Sequence, residues 1–412
     1  MFPKLRTALL AAALAFPATT AFAEPISLEE AIAKAIEAAP SIRANEAAIE
    51  AARAGRVQAD VRPNPVLGVE SENFIGTGPY DVLSQAELTV IYAQTIERGG
   101  KREARIALAE RDIAVAEALA GTSRLDIAAQ VQQAYIDVQI TEAVVKIAAF
   151  RLETEQQIQI EALRRVRGYK DPLFVETRAV ARVATAQLAL QEARQRLLAA
   201  KSKLASYWAG AGDDIEVAAG FSETADLGLR VAKSDEAAGT ALVDRARAAV
   251  LVEQSRATQD YTVSGGLRFL PGTNDVAAVA GFTMPLGRFD RNKGNIERAL
   301  AERRQAELLA EASRLERLRR LASLRADSEA ALARADGLMR DVYPATVKTL
   351  EQVRWGYNRG GFNFRDVQDA ADAIVQLQEQ WLDAMTRYRD LQTEIDRLTG
   401  RFDAEADKGT NP

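Results

Sequence analysis

From Gly100 to Asp171 the chain carries no proline, and large apolar residues recur at helical spacing: Ile106, Ile113, Leu125, Val131, Tyr135, Val138, Val145, Leu152 and Ile158. The pattern predicts one helix over 99–167. At 1.5 Å per residue, about 68 residues of helix reach roughly 100 Å. No ordinary globular domain needs a helix of that length; a coiled-coil or tubular assembly does. Gly121 lies inside the run and weakens it mildly.

Four short segments alternate with period two instead: Val66–Phe74, Gln85–Gln94, Tyr261–Phe269 and Val276–Met284. In the third, Tyr261, Val263, Gly265, Leu267 and Phe269 share one face, and Thr262, Ser264, Gly266 and Arg268 share the other. The links IGTGPY and LPGTN are turn-like, so the segments read as two hairpins, 66–94 and 261–284. Strands of about ten residues suffice to cross a membrane when tilted. The spacing alone also permits two ordinary soluble hairpins.

The chain is internally duplicated. Leu108-Ala109-Glu110-Arg111 returns as Leu300-Ala301-Glu302-Arg303, a shift of 192. The same shift carries Lys101 onto Lys293, Arg167-Gly168 onto Arg359-Gly360, Val175 onto Val367 and Ala179 onto Ala371. Each half (24–215 and 216–400) then reads as helix, β-hairpin, very long helix, glycine-containing turn and returning helix. The long helices are expected at 99–167 and 289–357, and their turns at 168–172 and 358–364. The returning helix of the first half ends near Trp208, and a further helix is expected over Glu236–Gln259. These two together nearly match the long helix and are expected to stack end to end beside it. Pro344 stands where the first half has Leu152, which predicts a kink. Residues 401–412 read as a flexible tail.

Residues 1–23 read as a cleavable secretory signal. Lys4 and Arg6 precede the apolar run Leu9–Phe16, and Ala21-Phe22-Ala23 offers a cleavage site before Glu24. Cleavage takes the formal charge from −5 to about −7, and that acidity argues against a nucleic-acid partner. The chain has no cysteine and no histidine. Disulfides, thiolate or imidazole metal sites and Ser-His or Cys-His nucleophilic machinery are therefore excluded. So is a lipid on an N-terminal cysteine, and no cofactor is implied. Gly99-Gly100-Lys101 lacks phosphate-loop spacing and reads as a strand-to-helix turn. Asp213-Asp214 reads as a solvated loop; Trp208, Trp355 and Trp381 read as packing or interfacial residues.

Four strands cannot close a barrel, and open sheet edges cannot face lipid. If the hairpins lie in a membrane, several chains must share one barrel. Three would give twelve strands, with the long helices forming a tube below. At these residues the chain also resembles a known family. The duplicated plan, NPVLGVESENFIGTG (Asn64–Gly78), LTVIYAQTIERGGKREARIALAER (Leu88–Arg111) and GYNRGGFNFRDVQDA (Gly356–Ala370) look like the TolC family of outer-membrane efflux channels. The ENF-then-Gly stretch and the ERGGKR run are most like the branch serving cobalt–zinc–cadmium efflux. The fold class expected is mainly α with a small β part: long α-helical hairpins form a trimeric periplasmic tunnel beneath a shared 12-stranded barrel.

The resemblance implies a homotrimer in the outer membrane of a Gram-negative bacterium, embedded in its lipid. It implies a passive exit duct rather than an enzyme, joined through a periplasmic adaptor (membrane fusion) protein to an inner-membrane resistance–nodulation–division pump. The glycine-containing turns become periplasmic tips, with Arg167, Gly168, Tyr169, Arg359, Gly360 and Gly361 as adaptor-docking residues. In the family, a tyrosine before the second turn and two aspartates after it constrict the tunnel. The matching residues are Tyr357, Asp366 and Asp369. Three copies of each acid round a narrow axis make a negative ring that favours cations. From spacing alone these acids serve equally as helix N-terminal residues, stabilised by the dipole. The first tip carries Phe174 and Thr177 at the matching positions, so the resemblance transfers no salt-bridge lock between the tips. The rival readings are a drug-efflux or type I secretion duct of the same fold, and a soluble periplasmic coiled-coil scaffold.

Overall fold

In a computed structural model, which describes residues 25–80, 85–212, 215–218 and 230–403, the chain is a narrow wall of helices capped by one small sheet. The signal sequence, Asp213-Asp214 and residues 404–412 of the expected tail lie outside the described residues. Two helices, α1 (Leu28–Ala38) and α2 (Pro40–Ala59), lead into β1 (Val66–Glu72) and β2 (Glu87–Ile96). Then α3 (Lys101–Arg167) runs unbroken through Gly121, and α4 (Phe174–Ala205) returns beside it. The second half supplies α5 (Lys233–Arg256), β3 (Tyr261–Leu270), β4 (Asp275–Thr283), α6 (Lys293–Gly337), α7 (Tyr343–Arg359) and α8 (Phe364–Thr399).

The four strands form one antiparallel sheet in the order β1-β2-β3-β4, leaving β1 and β4 as open edges. The register aligns Val69 with Val90, Val90 with Leu267, and Leu267 with Ala278; Tyr261, Val263 and Phe269 fall on the same face. That apolar face is the more exposed one. In β3, Val263, Leu267 and Phe269 are exposed, whereas Thr262, Ser264 and Arg268 on the other face are half-buried. Apolar-out and polar-in alternation is that of a lipid-facing barrel strand, the reverse of a soluble sheet. On the polar face, Arg268 bridges Glu72 at 3.0 Å and Glu87 at 2.6 Å.

Beside α3 the helices form a single layer. Near the sheet, α3 packs between α2 and α5, and α5 meets α6; toward the tips, α3 packs between α4 and α8, and α8 meets α6 and α7. The end-to-end pair is therefore α8 and α5, not the expected α4 and α5. The Ala232 N–H donates to the Leu398 carbonyl at 2.8 Å, and Arg397 grips Asp235 at 2.9 Å. Of the connection after α4, residues 215–218 lie against α3, pinned by a bridge between Ile26 and Val217 and by the Ala218 N–H donating to the Tyr135 hydroxyl at 3.0 Å. Buried Leu125, Val131, Tyr135 and Val138 of α3 pack there with Ile32, Leu204 and Phe402. Phe402 and Asp403, which accepts from Lys233 N–H and Ser234 Oγ, are thus packed residues rather than the start of a flexible tail.

The second long helix answers Pro344 with a widened turn. Leu338–Val342 forms a π-helical turn between α6 and α7. Proline has no N–H and its ring collides with the carbonyl four residues back, here Arg340. Opening the coil by one residue relieves that collision without ending the helix.

Candidate functional site

The far end of the wall is made by the two helical hairpins lying side by side. Ile158 and Ala162 of α3, Val175 and Ala179 of α4, Leu350 and Tyr357 of α7, and Phe364, Val367, Ala371 and Ile374 of α8 form one buried cluster. The helical period places these residues on facing stripes, and the two turns hold the stripes together.

At the second tip, Gly360 takes a left-handed conformation (φ +88°), and the Gly361 N–H closes back on the Gly356 carbonyl at 2.9 Å. A glycine is required there because a Cβ resists that backbone. Asn363 caps α8 and forms a capping box with Asp366: the Asp366 N–H donates to Asn363 Oδ1 at 3.1 Å, and the Asn363 N–H donates to Asp366 Oδ2 at 2.8 Å. At the first tip the left-handed position falls to Tyr169 (φ +54°), not to its duplication-matched Gly168 (φ −86°). Tyr169 is 98% exposed. Arg167 and Arg359 end their helices, and the Arg359 guanidinium lies 3.8 Å over the Trp355 ring.

Tyr357 is fully buried and joins the two tips. Its hydroxyl donates to Asp171 of the first tip, its ring lies under the Arg165 guanidinium at 4.3 Å, and its carbonyl accepts from Arg165. Arg165 in turn holds Asp171 through both carboxylate oxygens at 2.9 Å. The hydrogen bond from Arg165 keeps the Asp171 carboxyl below its ordinary pKa. Burial, reinforced by the neighbouring Asp171 charge, pushes the Tyr357 phenol above its own. Both shifts favour one state: a neutral phenol donating to an ionised carboxylate.

Two further arginines brace the tips. Arg354 of α7 reaches Glu161 of α3, and Arg182 of α4 holds both Glu155 of α3 and Asp372 of α8. Burial opposes the charge on Arg182, but its hydrogen bonds to both carboxylates outweigh that and keep the guanidinium charged. The tips are therefore locked to one another. The lock uses Arg165, Asp171, Arg182 and Asp372, instead of acids at Phe174 and Thr177. Asp369 lies outside it, exposed on α8; among the described residues its ion pair is with Arg365 at 3.8 Å. Asp366 and Asp369 share the unburied stripe of α8, opposite Val367, Ala371 and Ile374.

Residues 31–210 match the family model described as outer membrane efflux protein. The chain is 33% identical to the cobalt-zinc-cadmium resistance protein CzcC of Cupriavidus metallidurans, over 92% of this chain and 91% of that protein. The chain belongs to the outer membrane efflux protein family. A second member, the nickel and cobalt resistance protein CnrC of the same organism, is 28% identical over 68% of each chain. The outer membrane protein VceC of Vibrio cholerae has the same fold, with a TM-score of 0.74 at 20% identity over 90% of this chain and 96% of that one. Membership makes this an outer-membrane efflux channel, a place that suits a sheet with a bare apolar face.

Proposed function

We propose that three copies of this chain form the exit duct of a tripartite efflux system that exports divalent heavy-metal cations. The observation that carries this is the open four-stranded sheet, apolar on its exposed face and unpaired at β1 and β4. Pairing β4 of one copy with β1 of the next would close twelve strands and leave no edge in lipid. The helical wall would close in the same step, since α2 and α6 near the sheet, and α4 and α7 near the tips, are its outer members. The cation assignment leans on the two relatives named for resistance to cobalt, zinc, cadmium and nickel. Cargo passes without catalysis; an adaptor docking on Tyr169 and the Arg167, Gly168, Arg359, Gly360 and Gly361 turns would couple the duct to an inner-membrane RND pump. Export through a cleaved signal sequence fits this placement, with the barrel as anchor.

In this reading the tips are the gate. The Tyr357–Asp171–Arg165 lock holds each chain's two hairpins together, and Asp366 and Asp369 of three chains line the constriction. The test joins two assays. A strain lacking the chain is expected to lose tolerance to cobalt, zinc or cadmium and to regain it on complementation. In planar bilayers, Asp369→Ala is expected to change cation conductance without loss of the trimer, because among the described residues Asp369 makes only an exposed pair with Arg365 at 3.8 Å. Sensitivity to hydrophobic drugs but not to metals would overturn the cargo assignment, and unaltered conductance would remove Asp369 from the gate.

A further inference from the structure

The connection from β4 to α6 lies outside the lock, and it carries the most exposed large apolar side chains near the sheet. Leu286 is 84% exposed and Phe289 is 91% exposed. They follow closely in the chain on Phe282 and Met284, at the helix-side end of β4. There Tyr261 and Phe282 stack with ring centroids 5.3 Å apart, Arg98 lies 5.9 Å over the Tyr261 ring, and Arg98 also reaches Met284 Sδ at 3.8 Å. The acids nearby are occupied. Asp260 is held by the Arg98 N–H at 2.9 Å and Lys101 Nζ at 2.7 Å, and Asp290 accepts from the Asn292 N–H at 2.9 Å. Arg288 lies 5.4 Å over the Phe289 ring, and neither it nor Arg291 meets a carboxylate among the described residues. Bare apolar side chains beside bare guanidinium groups, at the edge of a lipid-facing surface, match a bilayer interface: acyl chains on one side and phosphates on the other.

We propose that Met284–Arg291 is an interfacial anchor. It seats Leu286 and Phe289 among the acyl chains of the periplasmic leaflet and offers Arg288 and Arg291 to the phosphates of anionic phospholipid. This rests on the outer-membrane barrel reading and adds to it a lipid site at the base of each hairpin pair. The segment follows directly in the chain on β4, and its charge is complementary to a phosphoglycerol headgroup, which selects phospholipid as occupant.

The chain has no cysteine, so single cysteines can be placed at will. Full-length Leu286→Cys, Phe289→Cys, Leu267→Cys and Leu308→Cys proteins are labelled with an environment-sensitive fluorophore. They are reconstituted in vesicles of phosphatidylethanolamine and phosphatidylglycerol carrying nitroxides either near the headgroup or near the chain terminus. Labels at 286 and 289 are expected to be quenched most by the shallow nitroxide, the label at 267 most by the deep one, and the label at 308 by neither. Quenching at 267 without quenching at 286 and 289, whether these lie in water or against a second copy, overturns the anchor and leaves the barrel standing. No quenching at 267 overturns the barrel and the anchor with it. Independently, Arg288→Gln with Arg291→Gln is expected to lower the preference for phosphatidylglycerol over phosphatidylcholine several-fold in lipid competition; an unchanged preference overturns the headgroup contact.

Discussion

Tyr357 concentrates the chemistry of the tip in one side chain. Its ring fills the cluster formed by both hairpins, and its hydroxyl reaches across to Asp171. Tyr357→Phe keeps the ring and the Arg165 contact and removes only the hydrogen bond to a carboxylate, a loss of about 1.5–3 kcal/mol. The expected outcome is a duct that opens more often, read as shorter closed dwell times in planar bilayers, with the trimer unchanged. The pH dependence follows from the two shifts. Asp171 has a depressed pKa when folded, so its contribution is present above the ordinary carboxylate value and is lost only as pH falls through the lowered one. Tyr357 has a raised pKa, so its contribution is present below the ordinary phenol value and is lost only as pH rises through the raised one. The lock should therefore hold level from about pH 4 to about pH 10, measured as tip-helix hydrogen-exchange protection corrected for intrinsic exchange. A step in protection near pH 6 would assign the lock to other groups. Tyr357 was legible in the sequence because it sits beside a glycine turn in a recognisable run. Arg165 and Asp171 were not: Arg165 is one of several arginines closing α3, and its meaning arises only when a residue 192 positions away is brought against it.

At the scale of elements, the long helices were readable because period and proline both speak locally. α3 is 67 residues without a break, as its proline-free run requires. The adjacency of α5 and α8 was not readable, since nothing in a sequence period says which flank of a helix a later segment will take. Pro344 lay between these cases. The sequence located the disturbance but not its form: the clash is met by a π-helical turn over Leu338–Val342 between α6 and α7. Pro344→Leu, which installs the residue of the first half, removes the cause of the π-turn. The amides of Leu338–Val342 are expected to gain protection from exchange by about tenfold or more, since proline in a helix interior costs about 3 kcal/mol. Protection left as in the unaltered chain would mean that the π-turn is fixed by its neighbours instead.

On the scale of the whole molecule, the sheet decides where the protein can live. Among the described residues no helix is long and apolar enough to cross a membrane; the surface suited to lipid is on the strands themselves. Their alternation is inverted relative to a soluble sheet, and the two faces should answer a new charge oppositely. Leu267 lies in mid-strand on the exposed apolar face, and Ser264 lies on the half-buried polar face of the same strand. Leu267→Arg places a guanidinium in hydrocarbon at about 2–4 kcal/mol for each copy, and a trimer would meet that cost three times. Ser264→Arg adds the same charge to an aqueous lumen already lined by Glu72, Glu87 and Arg268. The expected outcome is a sharp fall in heat-resistant trimer recovered from outer membranes for Leu267→Arg, with Ser264→Arg assembling normally and shifting ion selectivity toward anions. Equal recovery of the two variants would show that this sheet does not face lipid.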